Sequence, residues 1–312
     1  LVQAGGYDGQ PLRMSPDELS RIRWKGDGAY RALSYYFTVR WNRARLGDFI
    51  SHVLEPFAVA SEPGRNRNPP TPGLPPAYSV IDLGGDRMDR YQVLYGQDVM
   101  VAAEKSVQAL QQLFRHINLE SCWQTGDFLL VHAGSVVTPG GEGLLLPGVS
   151  GSGKTTLTAG LVRAGFGYLS DEAGAIDPVT RRLYPYPRTL CLKQGSFELF
   201  SELNGNAALR KLGGEWYVRP ESIRPGALAG PCGVRFVIAP QYREGSDTRL
   251  IPMSKGQAVA KLWDSLWNRA VYRDRALGLL TDVVTTSRSF RLTYGELDVA
   301  IGHIERLTRS RG

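Results

Sequence analysis

Residues 148–155 read Gly-Val-Ser-Gly-Ser-Gly-Lys-Thr and satisfy the pattern G-x-x-x-x-G-K-[ST] at every position. Each residue type has a physical reason to be there. Glycines admit positive φ, so successive backbone amides can curl around a phosphate without a Cβ in the way. A helix opening directly after the loop adds its N-terminal amides and the positive end of its dipole. Lys154 supplies a compact charge for the β- and γ-phosphates, and Thr155 offers a hydroxyl to Mg²⁺. A flexible Gly/Ser turn with a stray lysine is the plain alternative, and the apolar strand before the loop and the helix after it argue against that. The pattern predicts a nucleoside triphosphate site carried by Gly148, Ser150, Gly151, Ser152, Gly153, Lys154, Thr155 and Thr156.

Phosphoryl transfer also needs a group to hold the metal and another to orient or deprotonate the acceptor. Asp171 and Glu172 end the next strand, at the carboxyl edge where the loop also lies. Two adjacent carboxylates can divide those tasks, one on Mg²⁺ and one near an acceptor hydroxyl. A plain acidic turn is the alternative. His132 follows an apolar strand, where a histidine is commonly a satisfied core residue; near a γ-phosphate it could donate a hydrogen bond or steer the acceptor. Lys193, Arg188 and Arg219 could neutralise charge that develops during transfer, with surface salt bridging as the bland account, and Lys193 is the preferred one of the three.

The elements that must position these groups follow from pattern. Tyr35 to Val39 and Phe57 to Ala60 read as strands, and residues 62–76 hold six prolines, which excludes helix and central strand. Tyr91 to Tyr95 and Val99 to Ala102 flank Gly96-Gln97-Asp98 as a hairpin, and Val107, Leu110, Leu113 and Ile117 recur at helical spacing. Beyond residue 125, Phe128 to Val131 and Ser135 to Thr138 read as strands. Gly143 to Pro147 is apolar without alternation, as in a strand covered on both faces. A helix over Thr155 to Ala164 and a strand at Tyr168 to Leu169 complete a βαβ unit with a parallel sheet. Ser254 reads as the cap of a helix carrying Lys255, Val259, Leu262 and Leu266, with Trp263 and Trp267 as its core stripe. The expected class is α/β, with a small α+β domain over 1–120 and a nucleotide-binding core over 121–312.

Residues 127–178, from DFLLVHAGSVV through LLLPGVSGSGKTTL to RAGFGYLSDEAGAIDP, resemble the HPr kinase/phosphorylase family, and more closely its branch of related proteins outside sugar regulation. Weaker similarity continues through 185–200, 216–220, 236–242 and 251–259. The resemblance implies a P-loop kinase core of the type shared with phosphoenolpyruvate carboxykinase, and phosphate transfer from ATP to a serine hydroxyl on a protein. It implies that Asp171 or Glu172 is the base, without saying which, and that His132 helps place the acceptor or phosphate. The stretch Arg188-Thr189-Leu190-Cys191-Leu192-Lys193 lacks the second metal-binding Glu and the glycine-rich signature of true HPr kinases, so HPr as substrate, phosphorylase activity and a hexamer are not implied.

Composition bounds the rest. The chain has 312 residues, 42% apolar and 21% charged, which excludes disorder or coiled coil for the whole. Its apolar runs fall far short of the ~18 residues a membrane helix needs. An excess of 37 basic over 30 acidic residues suits phosphate ligands, but it is unclustered and predicts no nucleic-acid partner; Arg306, Arg309 and Arg311 suit a helix C-terminus. Cys122, Cys191 and Cys232 form no disulfide or zinc pattern and suit the cytoplasm, and residues 1–30 lack a signal-peptide pattern although the first residue is Leu rather than Met. The expectation is a kinase using ATP and Mg²⁺, with Thr155 and Asp171 on the metal, acting on a Ser/Thr hydroxyl of a protein or peptide. A kinase of a small metabolite or natural product, or a nucleotide-gated peptide-binding module, is the alternative. Self-association into a homo-oligomer is left open.

Overall fold

The computed structural model describes residues 12–59, 77–206 and 209–309, so the proline-rich stretch 62–76 lies outside the described residues, as does Arg311. The chain forms two compact units, 1–124 and 125–312; the helix expected near the boundary runs past residue 120 to Trp123.

In the first unit, a short helix α1 (Pro16–Ser20) precedes strands β1 (Gly26–Ala32) and β2 (Tyr35–Trp41), helix α2 (Ala44–Leu54), strands β3 (Ala77–Asp82), β4 (Tyr91–Tyr95) and β5 (Asp98–Ala103), and helix α3 (Ser106–Trp123). The strands form one sheet in sequential order, antiparallel except for the β2–β3 pair. Gly96, at φ +64°, makes the β4–β5 turn. Of the strand expected at 57–60, Phe57 instead closes a 3₁₀ turn over Glu55–Phe57, because Pro56 presets φ and offers no amide to a ladder. Ala58 makes an isolated antiparallel bridge to Tyr30, and Ala60 lies outside the described residues.

The second unit is built on an eight-stranded mixed sheet. Its elements in chain order are β6 (Leu129–Val137), β7 (Gly143–Pro147), α4 (Lys154–Arg163), β8 (Gly167–Ser170), β9 (Ala173–Ile176), β10 (Arg182–Tyr184), β11 (Leu190–Lys193) and α5 (Gln194–Phe197). Then come β12 (Arg210–Leu212), β13 (Glu215–Val218), α6 (Pro220–Ile223), β14 (Cys232–Tyr242), β15 (Arg249–Pro252), α7 (Lys255–Asp264), α8 (Arg269–Tyr272), α9 (Arg275–Thr286), β16 (Arg288–Tyr294) and α10 (Leu297–Arg309). The strand order is β10-β9-β6-β7-β14-β16-β15 with β8 also on β6, while β11, β13 and β12 form a separate small sheet.

Helices cover both faces of the large sheet. Leu144 and Leu146 pack into a cluster with Leu157 and Leu161 of α4 and Ile301 and Ile304 of α10. Leu145, pointing the other way, joins Leu262 of α7 and Leu280 and Val283 of α9. That two-sided burial is why Gly143–Pro147 shows no alternation.

The expected parallel βαβ unit needs correction. β7 and β8 do run in the same direction, but both pair antiparallel with β6, which lies between them. The two strands expected at 128–131 and 135–138 are this single strand. Gly134 lets α4 cross β6 closely, since a Cβ there would lie 2.4 Å from Thr158 Oγ1. Order across a sheet is a tertiary property that local periodicity does not carry.

Candidate functional site

β6 is the strand on which the predicted site residues converge. Ser135 pairs with Ser170 and His132 with Ala173, so Asp171 and Glu172, between β8 and β9, fall opposite Gly134 and Ala133. The Ala133 amide donates to Glu172 O at 3.1 Å across this break. On the opposite edge of β6, β7 delivers the chain to the glycine loop, and the Gly148 amide donates to His132 O at 3.4 Å. His132 thus stands between the start of the loop and the acidic pair.

Positive φ at Gly151 (+84°) and Gly153 (+89°) turns the loop into the first residue of α4, with Gly153 as its N-cap. A Cβ on Gly153 would lie 2.2 Å from Tyr294 Oη, so space as well as dihedral demands glycine there. The Tyr294 hydroxyl donates to Gly153 O at 3.2 Å, and the Tyr242 amide to Ser152 O at 3.1 Å. Lys154 folds back over its own loop, its ammonium donating to Gly148 O at 2.6 Å and Val149 O at 2.9 Å. Burial pulls its pKa down, while Glu172 and Asp171 pull the other way.

The two acids have different surroundings. Asp171 is 1% exposed. Its carboxyl accepts from the Tyr168 hydroxyl at 3.2 Å, Arg188 Nε lies 3.7 Å away, and the nearby Thr155 hydroxyl helps to hold its pKa down. Burial raises the Asp171 pKa, and the Arg188 charge opposes this. Glu172 reaches Arg188 Nη1 at 3.2 Å and His132 Nε2 at 3.7 Å, and its side chain is partly exposed. Burial alone would lower the Arg188 pKa, but the two carboxylates outweigh it and raise it.

A cavity of about 840 Å³ opens here. Its wall includes His132 and Glu172, the loop residues Ser150, Gly151 and Gly153, and then Lys154, Thr155 and Thr156. Lys193, at the end of β11, lines it as well, and Thr156 donates to Ser196 Oγ at 2.8 Å. Gly148, Ser152, Asp171, Arg188 and Arg219 are not among the residues that line it. Arg188, expected to meet transferring phosphate, instead clamps the two acids from behind. Lys255 caps α9, donating to Val284 O and Ser287 O at 2.7 Å each.

Sequence reasoning placed Trp267 in a helical core stripe, and that needs correction. α7 ends at Asp264, and its Ser254 cap is as expected. The following segment docks on β6: Ser265 O accepts from the His132 amide at 2.7 Å, and the Trp267 amide donates to Leu130 O at 2.9 Å. The Trp267 indole stacks on the His132 ring, centroids 4.7 Å apart and planes 19° from parallel. Asn268, buried, accepts from the Leu130 amide at 2.9 Å and donates to Phe128 O at 2.7 Å. No local signal near residue 267 announces this contact.

Enclosure moves the His132 pKa down to about 4, through burial first and the Lys154 charge second. The unfolded chain therefore binds more protons than the folded one between about 6.5 and about 4, and stability falls as pH drops through that window. Asp171, raised in the fold, contributes with the opposite sign. We expect His132→Gln to flatten the acid limb of a urea-unfolding series in that window; an unchanged limb would remove His132 as its cause.

Among the described residues no group of three or more His, Cys, Asp or Glu is placed to hold a metal ion. Thr155 and Asp171 bring two oxygen donors together beside the loop, and Mg²⁺ commonly takes one or two protein oxygens, with water and phosphate completing its shell. The donor set fits that ion. No helix among the described residues is long and apolar enough to cross a membrane. No protein-family model matches the chain, and no curated protein matches it.

Proposed function

We propose that residues 125–312 form a P-loop kinase core of the HPr-kinase/phosphoenolpyruvate-carboxykinase type. It transfers the γ-phosphate of ATP to a Ser or Thr hydroxyl of a protein or peptide. The observation that carries this reading is one cavity lined by Lys154 and Thr155 together with His132 and Glu172, with the Asp171 carboxyl close to Thr155.

The two environments divide the roles of the acids. Asp171, buried beside Thr155, would hold Mg²⁺, which when bound would offset charge on the β- and γ-phosphates. Glu172 faces the cavity and takes the proton of the acceptor hydroxyl as its oxygen attacks the γ-phosphorus and ADP departs. His132, held neutral, orients that carboxylate. Lys193 adds positive charge beside the phosphates. The same reading sets the protein in the cytoplasm, where ATP and Mg²⁺ are plentiful.

The test is incubation with γ-labelled ATP, Mg²⁺ and Ser- or Thr-bearing candidate peptides, with the label located by mass spectrometry. Phosphoserine or phosphothreonine in a peptide is expected. Label appearing on a small metabolite, or ATP left intact with every acceptor, would contradict the proposal.

A further inference from the structure

The cavity does not end at the phosphate loop. It continues to the C-terminal ends of β14 and β16, where Tyr242, Tyr294, Glu296 and Asp298 line it. Tyr242 is 47% exposed there, an aromatic ring left partly open in a cavity wall. It meets Tyr294 edge-on, centroids 5.6 Å apart at 65°, so Tyr294 supports it without stacking over it. Both tyrosines are bonded to the end of the loop, through Ser152 O and Gly153 O, which fixes their distance from any phosphate held there. Gly295 keeps the turn after β16 tight, since a Cβ on it would lie 2.7 Å from Ser246 O.

The charge changes sign along the cavity. Lys154 and Lys193 line the phosphate part, whereas Glu296 and Asp298, with Arg163 beside Asp298, line this end. Asp298 is paired with Arg163, while the Glu296 side chain makes no hydrogen bond or ion pair among the described residues, its backbone oxygen accepting from the Ala300 amide. With Arg163 on Asp298, Glu296 is the carboxylate left to disfavour a phosphate here. An open aromatic face suits a flat ring, and a free carboxylate suits adjacent hydroxyls.

We propose that this end is a nucleoside subsite, in which Tyr242 stacks on the base and Glu296 accepts hydrogen bonds from the ribose hydroxyls. The proposal rests on the kinase reading above and adds to it. The donor is selected as a nucleoside triphosphate, not as a bare polyphosphate.

The test is titration calorimetry on the full chain with two probes, Mg-ATP and Mg-tripolyphosphate. ATP is expected to bind more tightly than tripolyphosphate. Tyr242→Ala should weaken ATP about tenfold, on the scale of one base–aromatic stack. It should leave tripolyphosphate unchanged, which also shows that the variant is folded, and Tyr242→Phe should retain ATP binding. Glu296→Gln should weaken ATP while leaving 2′,3′-dideoxy-ATP unaffected. Equal affinity of the wild type for both probes, or equal weakening of both by Tyr242→Ala, would overturn the subsite and leave the kinase reading standing. Failure of both probes to bind the wild type would overturn the kinase reading and the subsite with it.

Discussion

Lys154→Ala is expected to lower phosphotransfer by at least ~10²-fold, about 2.7 kcal/mol of transition-state stabilisation. The lysine is 6% exposed and lies across the loop, bonded to two of its carbonyls. On the kinase reading the ammonium must leave Gly148 O and Val149 O to meet a triphosphate. Because charge on the transferring group grows beyond the ground state, the loss should fall mainly on kcat rather than KM. Steady-state kinetics of the variant against wild type checks this. Full activity in Lys154→Ala would refute the assignment of the loop.

Arg188→Ala should be the most destabilising single change at the site, at about 3 kcal/mol. It leaves the buried Asp171 carboxyl without the guanidinium whose charge opposes the effect of burial on it. Removing one partner of a buried pair costs more than the pair is worth, because the remaining charge stays in a poor solvent. Glu172, more open to water, should suffer less. Denaturant unfolding of Arg188→Ala, Asp171→Asn and the double variant measures the coupling. In the Asp171→Asn background the arginine substitution should cost clearly less; equal cost in both backgrounds would mean that Arg188 acts through packing.

What the sequence reveals about this site is what the backbone encodes locally. Gly151 and Gly153 announce positive φ, and an apolar strand before them and a helix after them are short-range patterns. Asp171 and Glu172 stand out as a pair closing a short strand. Which acid faces the cavity was not legible, since it depends on Thr155, Tyr168 and Arg188 converging from three separate segments. Trp267 was hidden for the same reason, because its stack on His132 depends on a strand pairing between distant parts of the chain. The insertion of β6 between β7 and β8 also escapes local reading, although it sets the whole site: it puts His132 between the loop on one edge and the acids on the other.

The most direct measurement is a titration of the ¹⁵N-labelled chain with Mg-ATP, following backbone amide shifts. The largest changes are expected at the amides of Ser150 to Thr155, with smaller ones at Asp171 and Glu172. Saturating Mg-ATP that leaves the amides of 150–155 in place, or shifts that gather elsewhere in the fold, would contradict it.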